Sequence, residues 1–426
     1  MDRRTFLSAT AVAAAAAAAP LSNVRSAVQS NSPPKPTQLD KIAEAAANNR
    51  RPLNFDNRRF SGPGYDWLIE RGTAAEAFLV GEEHGIAENP KLAAQLFADL
   101  SRAGYRHLAI ETSPPMAAAL AQSVAVGGIP AVKDLVTAPE SRVAFFGMRE
   151  EAELLVAAHK VVGGSPGWLW GTDYDVAADR FLIRTLKSKP KPQSASHALA
   201  KLEAASNASW LRYDETHNPQ FIFSFAGDPI LVQAVQHGWP DADAESKLIL
   251  ETLGATLAIN QLWTQGRGYE SNLARSRLLR SNFLRYWRAK QRRDPKSRVL
   301  MKMGGSHMVR GVNMSDVVDL GTLVPELVAE QGGAAFQMLV LPGPGTKTAN
   351  LDPAKFLYVP GNRDEYGAGM EIFDKAVLPS GFTLFETAPL RPLASSSGDV
   401  PLPLWRIIHG FDAILVLTGS TPSSNI

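Results

Sequence analysis

Short apolar runs that end in glycine turns loaded with ionisable side chains constrain this chain more than any other feature. The first lies in residues 76–88, Glu76-Ala77-Phe78-Leu79-Val80-Gly81-Glu82-Glu83-His84-Gly85-Ile86-Ala87-Glu88. Residues 78–80 predict a buried strand, and a helical pattern starts near Glu88. Strand, charged turn, helix is the order in which an open α/β sheet builds its sites, because ligands bind beyond the carboxyl ends of the strands. Carboxylates beside an imidazole raise its pKa and can share its proton. The competing reading is an exposed turn whose glutamates complement the N-terminus of the next helix.

The arrangement recurs. Residues 107–111 predict a second strand, ending in Glu111, before Ser113-Pro114-Pro115 opens a helix. Residues 168–170 predict a third, which runs into Gly171-Thr172-Asp173-Tyr174-Asp175. Residues 298–303 predict another, which runs into Gly304-Gly305-Ser306-His307. Two more strands are expected at 337–341 and 411–417, and helices at 89–103, stopped by Gly104, and at 147–162. Residues 176–295 read as mostly helical, with little strand signal beyond 221–225, and end in a basic helix at 269–291. The expected fold class is therefore α/β, a central, largely parallel sheet flanked by helices with a mostly helical insertion. Residues 46–426 make one such domain.

The 426 residues, 45% hydrophobic and 20% charged, suit one large globular domain. A net charge of +2 offers no basic field for nucleic acid. The lack of cysteine excludes disulfides, thiolate metal sites and cysteine nucleophiles. Asp2-Arg3-Arg4-Thr5-Phe6-Leu7-Ser8 resembles a twin-arginine export motif, and the alanine-rich run that follows is shorter than the roughly 20 residues of a membrane span. Residues 1–27 thus read as a signal peptide that is removed. That leaves a periplasmic or secreted protein without a stable membrane span. Residues 28–45 read as a flexible proline-rich linker, and residues 423–426 as a frayed end.

The candidate catalytic residues are Glu82, Glu83, His84, Glu111, His307 and Arg275. Asp173, Asp175 and Asn282 are candidates for holding a small-molecule substrate. All but Arg275 and Asn282 sit at predicted strand ends, which converge in a parallel sheet. Arg275 and Asn282 lie near one face of the basic helix. Two chemistries fit. A histidine can take a proton from water while a carboxylate holds its ring and a cation meets the oxyanion. Alternatively His84, Glu111 and His307 can bind a divalent metal, although no closed metal motif such as His-Glu-x-x-His is present. His107, His159, His197, His217, His237 and His409 follow strand starts, helix ends or polar turns and read as structural. There is no Gly-x-Ser-x-Gly serine elbow.

Taken in order, Gly81-Glu82-Glu83-His84-Gly85, Arg106-His107-Leu108-Ala109-Ile110-Glu111, residues 275–282, Met303-Gly304-Gly305-Ser306-His307 and Phe411-Asp412-Ala413-Ile414-Leu415 resemble the motifs of the erythromycin esterase-like superfamily, which includes the ChaN-like and TraB/Tiki proteins. The resemblance implies a hydrolase without metal or other cofactor, in which His84 activates water, Glu82 and Glu111 tune it, and Arg275 and His307 complete the pocket. One departure stands out. The esterases place two residues between the glutamate and the histidine, whereas here there is only Glu83. The Gly-x-x-His spacing is nearer the ChaN and Tiki branches, which implies as the alternative a periplasmic haem- or metal-binding protein. Met301, Met303 and Met308, close to His307 in the chain, are candidates for axial ligands, against the commoner reading of strand methionines as core.

Overall fold

The computed structural model describes residues 36–364, 366–394 and 399–426. The export motif and the whole of residues 1–27 lie outside them. Eleven strands are formed among the described residues: β1 (Arg50–Asp56), β2 (Arg59–Ser61), β3 (Ala77–Glu82), β4 (Tyr105–Ile110), β5 (Leu169–Gly171), β6 (Arg298–Gly304), β7 (Ala335–Pro342), β8 (Lys347–Asp352), β9 (Leu357–Asn362), β10 (Phe382–Glu386) and β11 (Ala413–Leu417). Nine form one sheet in the order β2-β1-β10-β11-β7-β3-β6-β4-β5, and β8 pairs with β9 in a separate hairpin. From β11 to β5 every pairing is parallel, while β10, β1 and β2 extend that sheet antiparallel.

The parallel strands are continuous apolar runs because both faces of the sheet are covered. Successive residues point to opposite faces. Phe78 and Val80 enter one core with Leu92, Leu96 and Phe97 of the Glu88–Leu100 helix. Ala77 and Leu79 enter the other with Leu279 and Phe283 of the Gly268–Arg293 helix and Val324 of the Leu320–Glu330 helix. Each such large side chain, fully buried, contributes about 1.5–3 kcal/mol. The fold class is the expected one: helices fill residues 179–293 between β5 and β6, apart from short turns.

Several expectations need correction. Residues 38–45 of the segment read as linker belong to a helix, Gln38–Asn48, whose Thr37 and Asp40 form a capping box and whose Ile42 and Ala46 are buried. A capped helix with an apolar stripe gains more from docking than it loses in chain entropy. Residues 221–225 form helical turns instead of a strand. Pro114–Thr137 is, among the described residues, the one helix long and apolar enough to cross a membrane. Its Met116, Leu120 and Val124 pack into the core, and it kinks at Gly128 ahead of Pro130. The last residues do not fray. Ser423 N–H donates to Gly85 O at 2.8 Å, Arg149 N–H to Ser424 O at 2.8 Å and Ile426 N–H to Gly147 O at 3.0 Å. This stretch therefore closes over the turn that carries His84.

Candidate active site

The sheet order explains how distant residues meet. β3, β6, β4 and β5 are neighbours in the sheet, although β6 comes last of the four in the chain. Adjacent strands lie roughly 4.8 Å apart, so side chains beyond their carboxyl ends are within contact range. Those ends carry Glu82 and His84, then Gly304 and His307, then Glu111, then Asp173.

Glu111 is the hub. Its Oε1 accepts from Arg275 Nη2 at 2.8 Å and lies 3.5 Å from His307 Nε2. Its Oε2 accepts from Gly304 N–H at 2.7 Å and lies 3.4 Å from His84 Nε2. The other nitrogen of each imidazole meets its own carboxylate: His84 Nδ1 is 3.0 Å from Glu82 Oε1, and His307 Nδ1 is 2.7 Å from Asp319 Oδ2. Asp319 also caps the Leu320–Glu330 helix. The Glu111 side chain is 6% exposed, whereas those of His84 and Arg275 are 27% and 25% exposed, so solvent reaches the latter two. His84 stacks on Phe145, ring centroids 3.9 Å apart. Phe145 has φ of 66°, a region costly for an aromatic residue, and strain of this kind gathers at functional sites.

Behind Glu82 lies a buried cation. Lys302 Nζ is 2.6 Å from Glu82 Oε1 and 2.5 Å from Glu151 Oε1. The alternation of strands accounts for it. Phe78, Val80 and Glu82 share one face of β3, and Leu300 and Lys302 share the same face of β6. That face meets the Arg149–Val162 helix, whose first turn carries Glu151.

These contacts set the protonation states. Burial lowers the His84 pKa, but Glu111 and Glu82 outweigh it and push it up to about 9. Burial and Arg275 lower that of His307, but Glu111 and Asp319 push it up to about 10. Burial raises the pKa of Glu111, yet the two imidazoles beside it hold it well below the usual carboxylate range. Burial likewise raises that of Glu82, and Lys302 and His84 bring it down. Both shifts favour the imidazolium form at neutral pH.

His84, Glu82, Glu111, His307 and Arg275 come together as expected. Glu83 does not join them. Successive residues at a strand end point apart, and its carboxylate accepts from Tyr366 Oη and, at 3.0 Å, from Asp364 N–H. Burial pushes its pKa up to about 7, partly offset by those two bonds. It tethers the loop after β9. Asp173 grips Arg275 through two guanidinium nitrogens, Nε at 3.0 Å, and so positions that cation. Asp175 accepts from Ala177 N–H, Ala178 N–H and Ser113 Oγ, which ties down the turn ahead of the Asp179–Ser188 helix. Asn282 is buried, and its Nδ2 donates to Thr172 O at 3.0 Å, pinning the end of β5. His107 bonds Gly167 O and Ser297 Oγ.

The residues proposed to ligate a metal do not fit one. Among the described residues no group of three or more His, Asp or Glu side chains is arranged to hold a metal ion. Between His84 and His307, the oxygens of Glu111 already accept from the Arg275 guanidinium and Gly304 N–H. A dication there would sit against that guanidinium. Met301, Met303 and Met308 are fully buried in the core among apolar neighbours, the commoner place for strand methionines. Sequence reasoning missed Lys302, Glu151, Asp319 and Phe145. A lone lysine inside the apolar run Val299-Leu300-Met301-Lys302-Met303 was a signal for the first, and an aspartate just before an apolar helix was one for Asp319. Glu151 reads as an ordinary first-turn acid, and Phe145 has no local signal.

The fold and site define a class: an α/β protein with a polar cluster at the carboxyl edge of a mostly parallel sheet. In that cluster a buried glutamate bridges two histidines and an arginine from a helical insertion. No protein-family model matches the chain, and no curated protein matches it. Solved structures share its fold. A Bacillus cereus protein superposes with a TM-score of 0.57 at 13% identity, over 92% of this chain and 100% of its own. A histidine-to-asparagine mutant of the erythromycin esterase EreC, in its open conformation, gives 0.57 at 13% over 88% and 98%. A succinoglycan biosynthesis protein gives 0.57 at 12% over 91% and 99%. The chain has the erythromycin esterase-like fold.

Proposed function

We propose that this protein is a metal-independent hydrolase in which His84 activates water for attack on an ester or related bond of a small-molecule substrate. The supporting observation is the Glu111 carboxylate, met by His84, His307 and Arg275 at one sheet edge. Glu82 fixes the His84 ring through Nδ1, so Nε2 is the nitrogen that takes the proton. As water oxygen bonds to the carbonyl carbon, that proton passes to Nε2. As the carbon–oxygen bond to the leaving group breaks, the alkoxide takes a proton from the imidazolium. Arg275 and the His307 imidazolium stabilise the oxyanion between those two steps. Acid–base work of this kind contributes about 10²–10⁴-fold, and each oxyanion donor about 10²–10³-fold. Arg275 Nη1 makes no hydrogen bond among the described residues and is the donor left for a substrate oxygen.

The reading is tested with the mature protein on p-nitrophenyl acetate, aliphatic lactones and erythromycin, the last because EreC is a structural neighbour. Hydrolysis of one of these is expected, with a loss of about 10²-fold or more in His84→Ala. An active wild type with a fully active His84→Ala variant sinks the proposal. The twin-arginine-like motif at Arg3-Arg4 supports export to the periplasm or beyond. The double substitution Arg3→Lys with Arg4→Lys is expected to hold the protein in the cytoplasm.

A further inference from the structure

The Lys302 cluster lies outside the chemistry above, yet it touches it. Glu82 uses one oxygen for two partners: Oε1 meets His84 Nδ1 at 3.0 Å and Lys302 Nζ at 2.6 Å, while Oε2 is buried with no hydrogen bond. Lys302 Nζ also meets Glu151 Oε1 at 2.5 Å, and the side chains of Lys302, Glu82 and Glu151 are 5%, 1% and 3% exposed. Two carboxylates and one ammonium out of water carry one uncompensated negative charge. Such a charge is costly where the dielectric is low. One proton cancels it, and it has two places to sit: on His84, as imidazolium, or on Glu151, as a carboxylic acid.

We propose that Lys302 and Glu151 act as positioning residues for the reaction, with Glu151 a buried proton store that lets His84 become neutral without leaving the cluster charged. With the proton on Glu151, Lys302 and Glu82 balance each other, and Glu82 stays ionised against His84 Nδ1–H. The Nε2 lone pair is then free for water. With the proton on His84, Glu151 is ionised and the site rests. Burial raises the Glu151 pKa, Lys302 lowers it and Glu82 raises it, for a net increase, as a proton store needs. The other groups facing His84 are Glu111 from the end of β4, with Arg275 and His307 beyond it, and Asp364 from the loop after β9. None of them touches Lys302 or Glu151.

The inference rests on the hydrolase reading for its effect on rate but not for its effect on protonation. The test is therefore a titration of the His84 ring by nitrogen-15 NMR, run beside the pH dependence of kcat/KM, on folded Glu151→Gln and Lys302→Met variants. Glu151→Gln keeps the contact with Lys302 and removes one negative charge, so the His84 midpoint is expected to fall by about half a unit or more. Lys302→Met removes the cation, and the midpoint is expected to rise. The ascending limb of kcat/KM, which His84 sets, should move with each. Opposite shifts are a signature that a merely structural role does not produce. A midpoint unmoved in Glu151→Gln overturns the proposal. Shifts in the ring without any hydrolysis keep it and sink the hydrolase reading instead. Should Lys302→Met not fold, Glu151→Gln alone decides. Should neither fold, carbon-13 titration of Glu151 in the wild type decides, since the store requires Glu151 and His84 to titrate as a coupled pair.

Discussion

Arg275 Nη2 lies 2.8 Å from Glu111 Oε1 and joins the helical insertion to the end of β4. The same guanidinium grips Asp173 at the end of β5. One side chain thus bridges two carboxylates at neighbouring strand ends and holds the Gly268–Arg293 helix over the site. Arg275→Ala leaves both acids without that partner, and breaking such a pair costs about 3 kcal/mol. Urea unfolding should show that loss, with a smaller one in Arg275→Lys, which keeps the charge but not the planar fork. Equal stabilities for all three proteins would contradict the role assigned to Arg275.

The rate should be bell-shaped in pH. His84 must lose its proton to act as base, and its pKa is about 9. His307 must keep its proton to support the oxyanion, and its pKa is about 10. kcat/KM therefore rises towards pH 9 and falls above pH 10, since this ratio reports the free enzyme. Background-corrected rates from about pH 6 to about pH 11 check it. The two limbs belong to a pair coupled through Glu111 and are apparent values. A flat profile removes both histidines from the chemistry.

Stability should move the opposite way. Both histidines bind their proton more tightly folded than unfolded, where the midpoint is about 6.5. Their contribution is fully present below that value and is lost as pH rises through about 9 and about 10. Urea midpoints measured from about pH 6 to about pH 10 should fall, and the fall should shrink in His307→Gln. Glu83, pushed up to about 7, adds a loss of the same sign between its usual value and neutrality.

Gly304 marks how closely the site is packed. A Cβ there would lie 3.0 Å from His84 Nε2 and 3.3 Å from Glu111 Oε2. Gly304→Ala should push the His84 ring aside, and a misplacement of this size costs about 10²-fold in rate. Unfolding midpoints should change far less than activity. An alanine variant with wild-type kcat/KM would mean that Nε2 is not the reacting nitrogen.

Glu82 and Glu83 should separate cleanly. Glu82→Gln removes the carboxylate that holds Nδ1 and should shift the pH limb downwards. Glu83→Gln weakens only the tether to Asp364 and Tyr366, so it should leave the limb in place and change KM or loop mobility, read by hydrogen exchange at Arg363, Asp364 and Tyr366. A shifted limb in Glu83→Gln would return that residue to the catalytic set.

Much of the frame was legible from local pattern. Apolar runs at 78–80, 107–111, 168–170, 298–303, 337–341 and 411–417 fall on strands, because burial on both sides leaves an apolar run with little alternation. The antiparallel edge was not legible. β1 reads Arg50-Arg51-Pro52-Leu53-Asn54-Phe55-Asp56, and of these only Leu53 is buried, so it lacks the apolar signal of a central strand. The helix at Gln38–Asn48 was hidden by the prolines before it, although Thr37 and Asp40 spell its cap.

The sequence by itself determined that histidines and acids stand at the ends of strands, since a period of two residues and a glycine turn are properties of neighbours along the chain. Only the tertiary structure decided which of them meet. The placing of β6 between β3 and β4 brings His84 and His307 to either side of Glu111, and puts Lys302 between Glu82 and Glu151. It also turned Glu83 and Asp175 away to other tasks. Strand order is settled by the packing of whole faces against helices far off in sequence, and no local pattern carries that information.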